Sequence, residues 1–195
     1  MCIEMRLSQN SKEVMKRYEM GFLNESRECV FQEDVPQISI AGEKQGPFKK
    51  GDSASLPNWV IENLFKHEKV DISPDDAYIS PDDAFESLRK LQKLSRNEKK
   101  SPYKLQEFQP FLYTAIARKT LRLQSDKTSI DPMKYDEIET LQTLASSLVE
   151  TRLSKILYAA NSDYLEKRNQ MTKEEQWLCE EIVELLSGWR QNIMG

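Results

Sequence analysis

The feature that most constrains the fold is the stretch from Gly46 to Leu64, which contains GPFKKG and, shortly after it, LPNWVIENL. The glycines of the first motif predict a hinged pair of strands, because glycine adopts turn conformations without a steric cost. Pro57 suits the first turn of a helix, where its missing N–H is not needed. We expect Trp59 to be largely buried where this helix meets the strands. The stretch therefore predicts a small β-rich domain that contains one helix.

The residues around this stretch extend the domain on both sides. Alternation of apolar and polar residues predicts strands, and Pro36 acts as a breaker between the first two. The predicted strands lie at 28–32, 37–41 and 70–72. Upstream, apolar residues at helical spacing predict a helix over 11–24. We therefore assign residues 1–24 to an N-terminal helical segment and residues 25–73 to the small β-rich domain.

A tandem repeat follows the β-rich domain, in which ISPDDAY at 72–78 precedes ISPDDAF at 79–85. Serine, proline and aspartate in this order are typical of a helix start, where they cap the helix and complement its dipole. The four aspartates also suggest a metal site, but the spacing lacks the glycine and distal glutamate of a calcium loop. We therefore interpret residues 74–84 as a linker and helix start.

Helical periodicity dominates the remaining residues, 85–195. Pro110 either kinks a helix predicted over 103–124 or marks the true start of its second half. Asp131-Pro132 opens a long helix, and a capping box at Thr172–Glu175 starts the last one. The apolar stripe of that last helix is predicted to contain Leu178, Ile182, Leu185 and Trp189. The predicted fold is α+β and mainly α, with a small N-terminal β-rich domain followed by a C-terminal helical bundle that serves as an assembly domain.

The composition and motifs give no support to catalysis. The net charge is −4, whereas a dedicated nucleic-acid-binding domain usually has a strong basic excess. Three distant cysteines, Cys2, Cys29 and Cys179, predict neither a disulfide framework nor a zinc site. His67 is the only histidine and has no partner pattern around it. We therefore expect no enzymatic activity, no cofactor and no metal.

The location of the protein is also constrained by its apolar runs. No run approaches the roughly 18 to 20 residues that span a bilayer. Residues 1–10 contain Glu4 and Arg6 and lack the apolar core of a signal peptide. We expect a soluble, intracellular protein that does not interact with membranes.

Two charged features are candidates for function. A locally basic region at 89–127 could contact nucleic-acid phosphates weakly, or could be an ordinary solvated helix face. Its candidate contact residues are Arg89, Lys93, Lys99, Lys100, Arg118 and Arg122. In the long helix, Arg152 and Lys155 are three residues apart and share a face near the apolar stripe. Arg152 either has a carboxylate partner in the bundle or extends along the surface into solvent.

Taken in order, several of these short motifs resemble the GINS complex of DNA replication. The closer class is the archaeal "two-three" class, which has its β domain first and its helical domain second and is related to the second and third eukaryotic subunits. The matching residues span about 25–195. They are Gly46-Pro47-Phe48 with Gly51, Pro57, Trp59 and Leu64, Ser101-Pro102-Tyr103, Asp136-Glu137-Ile138 with Thr140-Leu141, and Thr151-Arg152 with Lys155 and Leu157.

The resemblance implies a non-catalytic scaffold that supports DNA unwinding. Its partners would be a second GINS subunit type in a hetero-tetramer, the MCM helicase and a Cdc45/RecJ-like protein. Its location would be the cytoplasm and nucleoid in an archaeon, or the nucleus in a eukaryote. A nucleic-acid-binding module using residues 89–127 is the alternative, and an enzyme whose site is completed by a partner is a third hypothesis.

Two sets of residues are candidates for interaction with partners. The long helix is expected to supply the subunit interface, through Ile138, Leu141, Leu148, Arg152 and Ile156. Packing or docking of the β domain is expected to involve Phe48, Pro57, Trp59 and Leu64.

Overall fold

A computed structural model describes residues 2–72, 84–125, 132–162 and 164–194. The chain divides into two compact units, Met1–Ala84 and Phe85–Gly195, called here the N-terminal and C-terminal units. The first contains α1 (Cys2–Asn24), β1 (Ser26–Phe31), β2 (Ile38–Ile40), β3 (Glu43–Gln45), β4 (Ser53–Pro57), α2 (Asn58–Lys66) and β5 (Val70–Ile72). The second contains α3 (Ala84–Lys100), α4 (Leu112–Ser125), α5 (Pro132–Asn161), α6 (Tyr164–Lys167), a 3₁₀ turn (Arg168–Gln170) and α7 (Lys173–Met194). The predicted fold class, α+β and mainly α with the β-rich part first, is confirmed.

The N-terminal unit is built around β1, the central strand of an antiparallel sheet in the order β4-β1-β5. Cys29 and Phe31 on β1 are buried while Val30 between them is exposed, which is the alternation of a strand with one covered face. On the paired strands, Leu56 and Val70 are also buried. Strands β2 and β3 form a separate antiparallel hairpin.

The GPFKKG motif closes this unit through backbone and ring contacts. Gly46 has φ +91°, and a Cβ there would lie 3.0 Å from the Phe48 ring, so only glycine fits without strain. The Phe48 ring stacks on Phe31 with centroids 4.2 Å apart. Phe48 and Val35 exchange both main-chain hydrogen bonds, at 2.8 and 2.9 Å. The motif is therefore a structural turn that returns the chain to β4.

The LPNW motif joins β4 to α2. Pro57 was predicted to lie in the first turn of the helix, but it is the last residue of β4 and the N-cap of α2, which begins at Asn58. The buried Asn58 donates from its backbone N–H to the Glu25 carbonyl at 2.9 Å and from its side-chain amide to the Phe22 carbonyl at 2.6 Å. These bonds tie the start of α2 to the end of α1.

The helices of the C-terminal unit differ from the prediction in one place. Residues 101–111 are irregular, and α4 begins only at Leu112. Pro110 therefore marks a helix start, and the helix predicted from residue 103 is wrong in its first half. Leu105 and Phe108 in the irregular segment are nevertheless buried. Residues 73–83, which contain most of both copies of the tandem repeat, lie outside the described residues.

Helices α5 and α7 run in the same direction, with α6 and the 3₁₀ turn on the return path between them. Arg152 pairs with Glu175, the Cys179 thiol lies 3.8 Å from the Ile156 carbonyl, and Arg190 hydrogen-bonds to Asn161. The core between them contains Leu105, Ile156, Ala159, Ala160, Met171 and Cys179. Within the described residues, no helix is both long enough and apolar enough to cross a membrane.

The capping box predicted at the start of α7 is confirmed. The Glu175 backbone N–H donates to Thr172 Oγ1 at 3.2 Å, and the Thr172 backbone N–H donates to Glu175 Oε2 at 3.0 Å. Beside it, Glu174 Oε1 accepts bonds from the Thr114 backbone N–H at 3.0 Å and from its hydroxyl at 2.7 Å. The start of α7 is thereby joined to the first turn of α4.

Candidate functional site

The predicted subunit interface on α5 is wrong for four of its five residues. Leu141, Leu148, Arg152 and Ile156 are all buried inside this chain, and Ile138 is half-buried. Their side chains are already used by the core of the C-terminal unit, so they are not available to a second subunit. The stripe was correctly recognised as apolar, but helical spacing alone does not say which neighbour covers it.

Arg152 is the centre of a buried charge network. Its Nε and Nη2 donate to the two carboxylate oxygens of Glu175 at 2.8 and 2.5 Å. Its Nη1 donates to Glu98 Oε2 at 3.3 Å. The remaining two N–H groups donate to the carbonyls of Gln106 and Gln170 at 2.8 and 2.9 Å. All five guanidinium N–H groups are therefore satisfied, which is the condition under which a buried arginine is tolerated.

Lys155 completes this network one helical turn later. Its ammonium donates to Glu98 Oε1 at 2.5 Å and to the carbonyls of Glu98 and Lys104 at 2.6 and 2.8 Å. Glu98 in turn accepts from the Gln106 backbone N–H at 3.0 Å. The network therefore pairs two cations, Arg152 and Lys155, with two carboxylates, Glu98 and Glu175.

Two aromatic side chains, Phe108 and Tyr113, contact the network. The Arg152 guanidinium lies 4.3 Å from the centre of the Phe108 ring. Burial lowers the pKa of Arg152, but the hydrogen bond and charge of Glu175 outweigh burial, so the pKa is raised. Tyr113 donates its hydroxyl to Glu175 Oε1 at 2.7 Å. Burial, followed by the negative charge of Glu175, raises the pKa of Tyr113 well above its usual range.

The network decides between the two interpretations of Arg152. It has carboxylate partners, and the interpretation as a surface arginine is wrong. Sequence reasoning missed Glu98 and Tyr113, and it recognised Glu175 only as a capping residue. Because every network atom described above bonds to another part of the chain, the arrangement holds α3, α4, α5 and α7 together and leaves no group free for a substrate.

An exposed apolar stripe on the second half of α7 is the strongest candidate for an interaction site. Leu185 is 72% exposed, Trp189 60% and Ile193 63%. Leu185 and Trp189 belong to the predicted apolar stripe of α7, and in the structure both are exposed. Residues at these spacings share one helix face. We call Leu185, Trp189 and Ile193 the open stripe.

The basic region separates into an exposed part and a covered part. Arg89, Lys93 and Lys100 are exposed on α3, and so is Arg96, which lies on the same helix face. Lys99 is exposed and donates to Ser147 Oγ at 2.9 Å. On α4, Arg118 is half-buried. The side chain of Arg122 lies outside the described residues.

The four residues predicted to pack or dock in the β domain have different environments. Phe48, Pro57 and Leu64 are half-buried. Trp59 is 42% exposed, so the expectation that it is largely buried is wrong. Its neighbours Val60 and Ile61 take the buried positions of α2 instead. Trp59 forms part of a groove on the N-terminal unit together with Ile38, Ile40 and Leu64.

The described cysteines behave as small apolar side chains. Cys29 and Cys179 are buried, and burial raises the pKa of each thiol to about 11. Both are therefore protonated at neutral pH and poor nucleophiles. Among the described residues, no group of three or more histidine, cysteine or acidic side chains could hold a metal ion. The four aspartates of the repeat lie outside those residues.

Comparison of the chain with protein-family models and with curated proteins gave no match.

Proposed function

We propose that this chain is a non-catalytic subunit of a GINS-type DNA replication complex. In this role it would join a second GINS subunit type and help to connect the MCM helicase with a Cdc45/RecJ-like protein. The observation that carries the proposal is the open stripe, because apolar side chains exposed in a row on one helix mark a surface that another protein covers.

The packing of the first half of α7 supports the interpretation of its second half as a subunit interface. Cys179 is buried and Ile182 is packed against the core between α5 and α7. The same helix face continues to Leu185, Trp189 and Ile193, where the chain itself provides much less cover. A helix from a second subunit would extend the existing core along α7. Obligate interfaces of this kind bury roughly 2,000 Å² or more in total.

Residues of the resemblance also have identifiable structural roles. Arg152 and Lys155 hold the charge network, and the Gly46-Pro47-Phe48 turn anchors β4. These are positions where the fold accepts few alternatives. Their occurrence in family order is therefore consistent with a shared architecture of β domain followed by helical domain.

The experiment is a measurement of solution mass after co-expression with a helical subunit of the second GINS type from the same genome. We expect the wild-type chain, 22.8 kDa alone, to elute in a stable hetero-oligomer on size-exclusion chromatography with light scattering. Leu185→Asp should abolish the complex, because it would bury an unpaired charge. Gln191→Asp adds the same charge on the opposite face of α7 and should leave the complex intact.

Two outcomes would contradict the proposal. The wild-type chain could remain monomeric with every such subunit, or the Leu185→Asp chain could assemble as well as the Gln191→Asp chain. The first result would remove the GINS role, and the second would remove the open stripe as its interface.

A second candidate function, weak nucleic-acid contact, is favoured by the geometry of α3. Arg89, Lys93, Arg96 and Lys100 are exposed on one face of that helix. At a rise of about 1.5 Å per residue they extend over roughly 16 Å, enough to follow a few backbone phosphates. No exposed acidic side chain interrupts the described positions 88–100, since Glu98 is buried.

Fluorescence anisotropy with labelled single-stranded and duplex DNA tests this candidate. We expect binding at low salt that weakens steeply as salt rises, because phosphate contacts release counterions. The double variant Lys93→Glu, Arg96→Glu should lose most of this binding, while Lys66→Glu, at an exposed position of α2, should not. An absence of binding at low salt would remove this function.

A further inference from the structure

The N-terminal unit contains a groove that the proposed assembly role does not use. Its cavity of about 220 Å³ lies between α2 and the β2–β3 hairpin. Ile38 and Ile40 form one wall, and Trp59 and Leu64 form the other. Drug-sized ligands usually need cavities of about 300 Å³ or more. The groove is therefore suited to one or two apolar side chains.

The strand beside the groove has an open edge. Ala41 and Gly42 connect β2 to β3 with φ values of 51° and 91°, which is the positive-φ pair of a two-residue hairpin turn. The flanking pair Ile40–Glu43 is therefore hydrogen-bonded, and so is Ile38–Gln45 two residues away. The residue between them, Ser39, points its main-chain N–H and C=O away from β3. Within the described residues, β3 is the only strand paired with β2.

We propose that this groove binds an extended segment of another protein. The segment would add as a strand to the edge of β2 and insert one bulky apolar side chain between Trp59 and Leu64. An unpaired main-chain donor and acceptor select an extended backbone, and the adjoining apolar cavity selects the side chain. The side chain would be of the leucine, isoleucine or phenylalanine class.

A bound segment would account for the exposed position of Trp59. α2 buries Val60 and Ile61 in the core, yet its largest side chain is 42% exposed beside the cavity. Tryptophan is among the residues that most often dominate binding at protein interfaces. Asn63 at the rim is exposed and offers an amide to the backbone of the bound segment.

The proposal can be tested by phage display. A library of random dodecapeptides is selected for binding to the immobilised full chain. We expect the enriched peptides to share one bulky apolar residue within a run of strand-forming residues. Synthetic copies should bind the Trp59→Ala and Leu64→Asp chains at least tenfold more weakly than the wild type. The Leu185→Asp chain should bind as the wild type does, so this test is independent of the assembly test.

Two comparisons examine strand addition separately from side-chain insertion. Ser39→Pro removes the outward N–H and should weaken binding at least tenfold, while Ser39→Ala keeps the N–H and should not. A peptide methylated at alternate backbone nitrogens cannot pair as a strand and should lose binding to the wild-type protein. This second test remains valid if the Ser39→Pro chain does not fold. Binding by the methylated peptide as strong as that of its parent would overturn strand addition.

Two outcomes would overturn the whole proposal. The library could yield no enriched peptides, or the enriched peptides could bind the Trp59→Ala and Leu64→Asp chains as strongly as the wild type.

Discussion

The two halves of α7 differ in which kind of side chain they bury. In the first half, the charged residues Glu174 and Glu175 are buried. In the second half, the apolar residues Leu185, Trp189 and Ile193 are exposed. The difference comes from the neighbours of each half. The first half is enclosed by α4, α5 and the irregular segment before α4, while the second passes the end of α5 at Asn161.

This comparison shows that the chemistry of a side chain does not by itself decide where it lies. A carboxylate is tolerated inside when each oxygen has a donor, as Glu175 has from Arg152, Tyr113 and Thr172. An apolar stripe remains outside when the chain supplies nothing to cover it, and such a stripe is typical of an interface. We therefore expect substitutions in the first half to change stability and substitutions in the second half to change association.

The largest effect is expected from Arg152→Ala. This substitution leaves Glu175 buried without its cationic partner and removes one of the two cations that pair with Glu98. Breaking a buried pair in this way costs about 3–5 kcal/mol in the free energy of unfolding. Urea denaturation followed by circular dichroism measures it. Arg190→Ala, at an exposed position on the second half of α7, is the matched control and should change stability little. An Arg152→Ala chain as stable as the control would show that the network contributes nothing.

A smaller effect is expected from Tyr113→Phe, which removes one hydrogen bond to the Glu175 carboxylate. A bond to a charged group contributes about 1.5–3 kcal/mol. Because the folded-state pKa of Tyr113 is raised, the unfolded chain ionises first as the pH rises above about 10. The wild type should therefore lose stability above that pH more steeply than Tyr113→Phe. Parallel slopes for the two chains in urea titrations at pH 9 to 11 would contradict this.

Loss of the capping box should cost about 1 kcal/mol. Thr172→Ala removes the hydroxyl that accepts the Glu175 backbone N–H, and caps of this type contribute about 0.5–2 kcal/mol. Thr172→Ser keeps the hydroxyl and should behave nearly as the wild type. Thermal denaturation of the three chains measures the effect, and equal melting temperatures for alanine and serine would argue against a capping role.

The smallest effect on stability is expected from Leu185→Asp, the variant that should abolish assembly. Exposed substitutions usually change the free energy of unfolding by about 0.5 kcal/mol or less. The measurement is urea denaturation of the isolated chain. A loss of several kcal/mol would mean that the open stripe is covered within this chain, which would remove the contrast between the two halves of α7.

Local patterns were sufficient for much of the fold. The Thr172–Glu175 capping box, the strand at 70–72 and the turn around Gly46 were predicted, because each depends on residues close together in sequence. The helix predicted from residue 103 was wrong at its start, because its apolar residues pack on the core from an irregular segment. Pro110, which prevents a regular helix there, had been recognised as a possible start.

The candidate sites depended more on distant contacts. Arg152 was recognised as unusual, but its partner Glu98 lies 54 residues away, and sequence spacing gives no distance between them. Trp59 was assigned to the wrong side of α2 because Val60 and Ile61 are equally able to fill the core.

The sequence by itself determined the fold class, the capping box of α7 and which helix faces are apolar, because these follow from local backbone preferences and residue periodicity. Only the tertiary structure decided which of those faces is covered. Leu148 and Leu185 are both leucines on predicted apolar stripes, yet the first is buried and the second is 72% exposed. The physical reason is that burial requires a neighbouring surface, and the position of that surface depends on how helices distant in the sequence pack together.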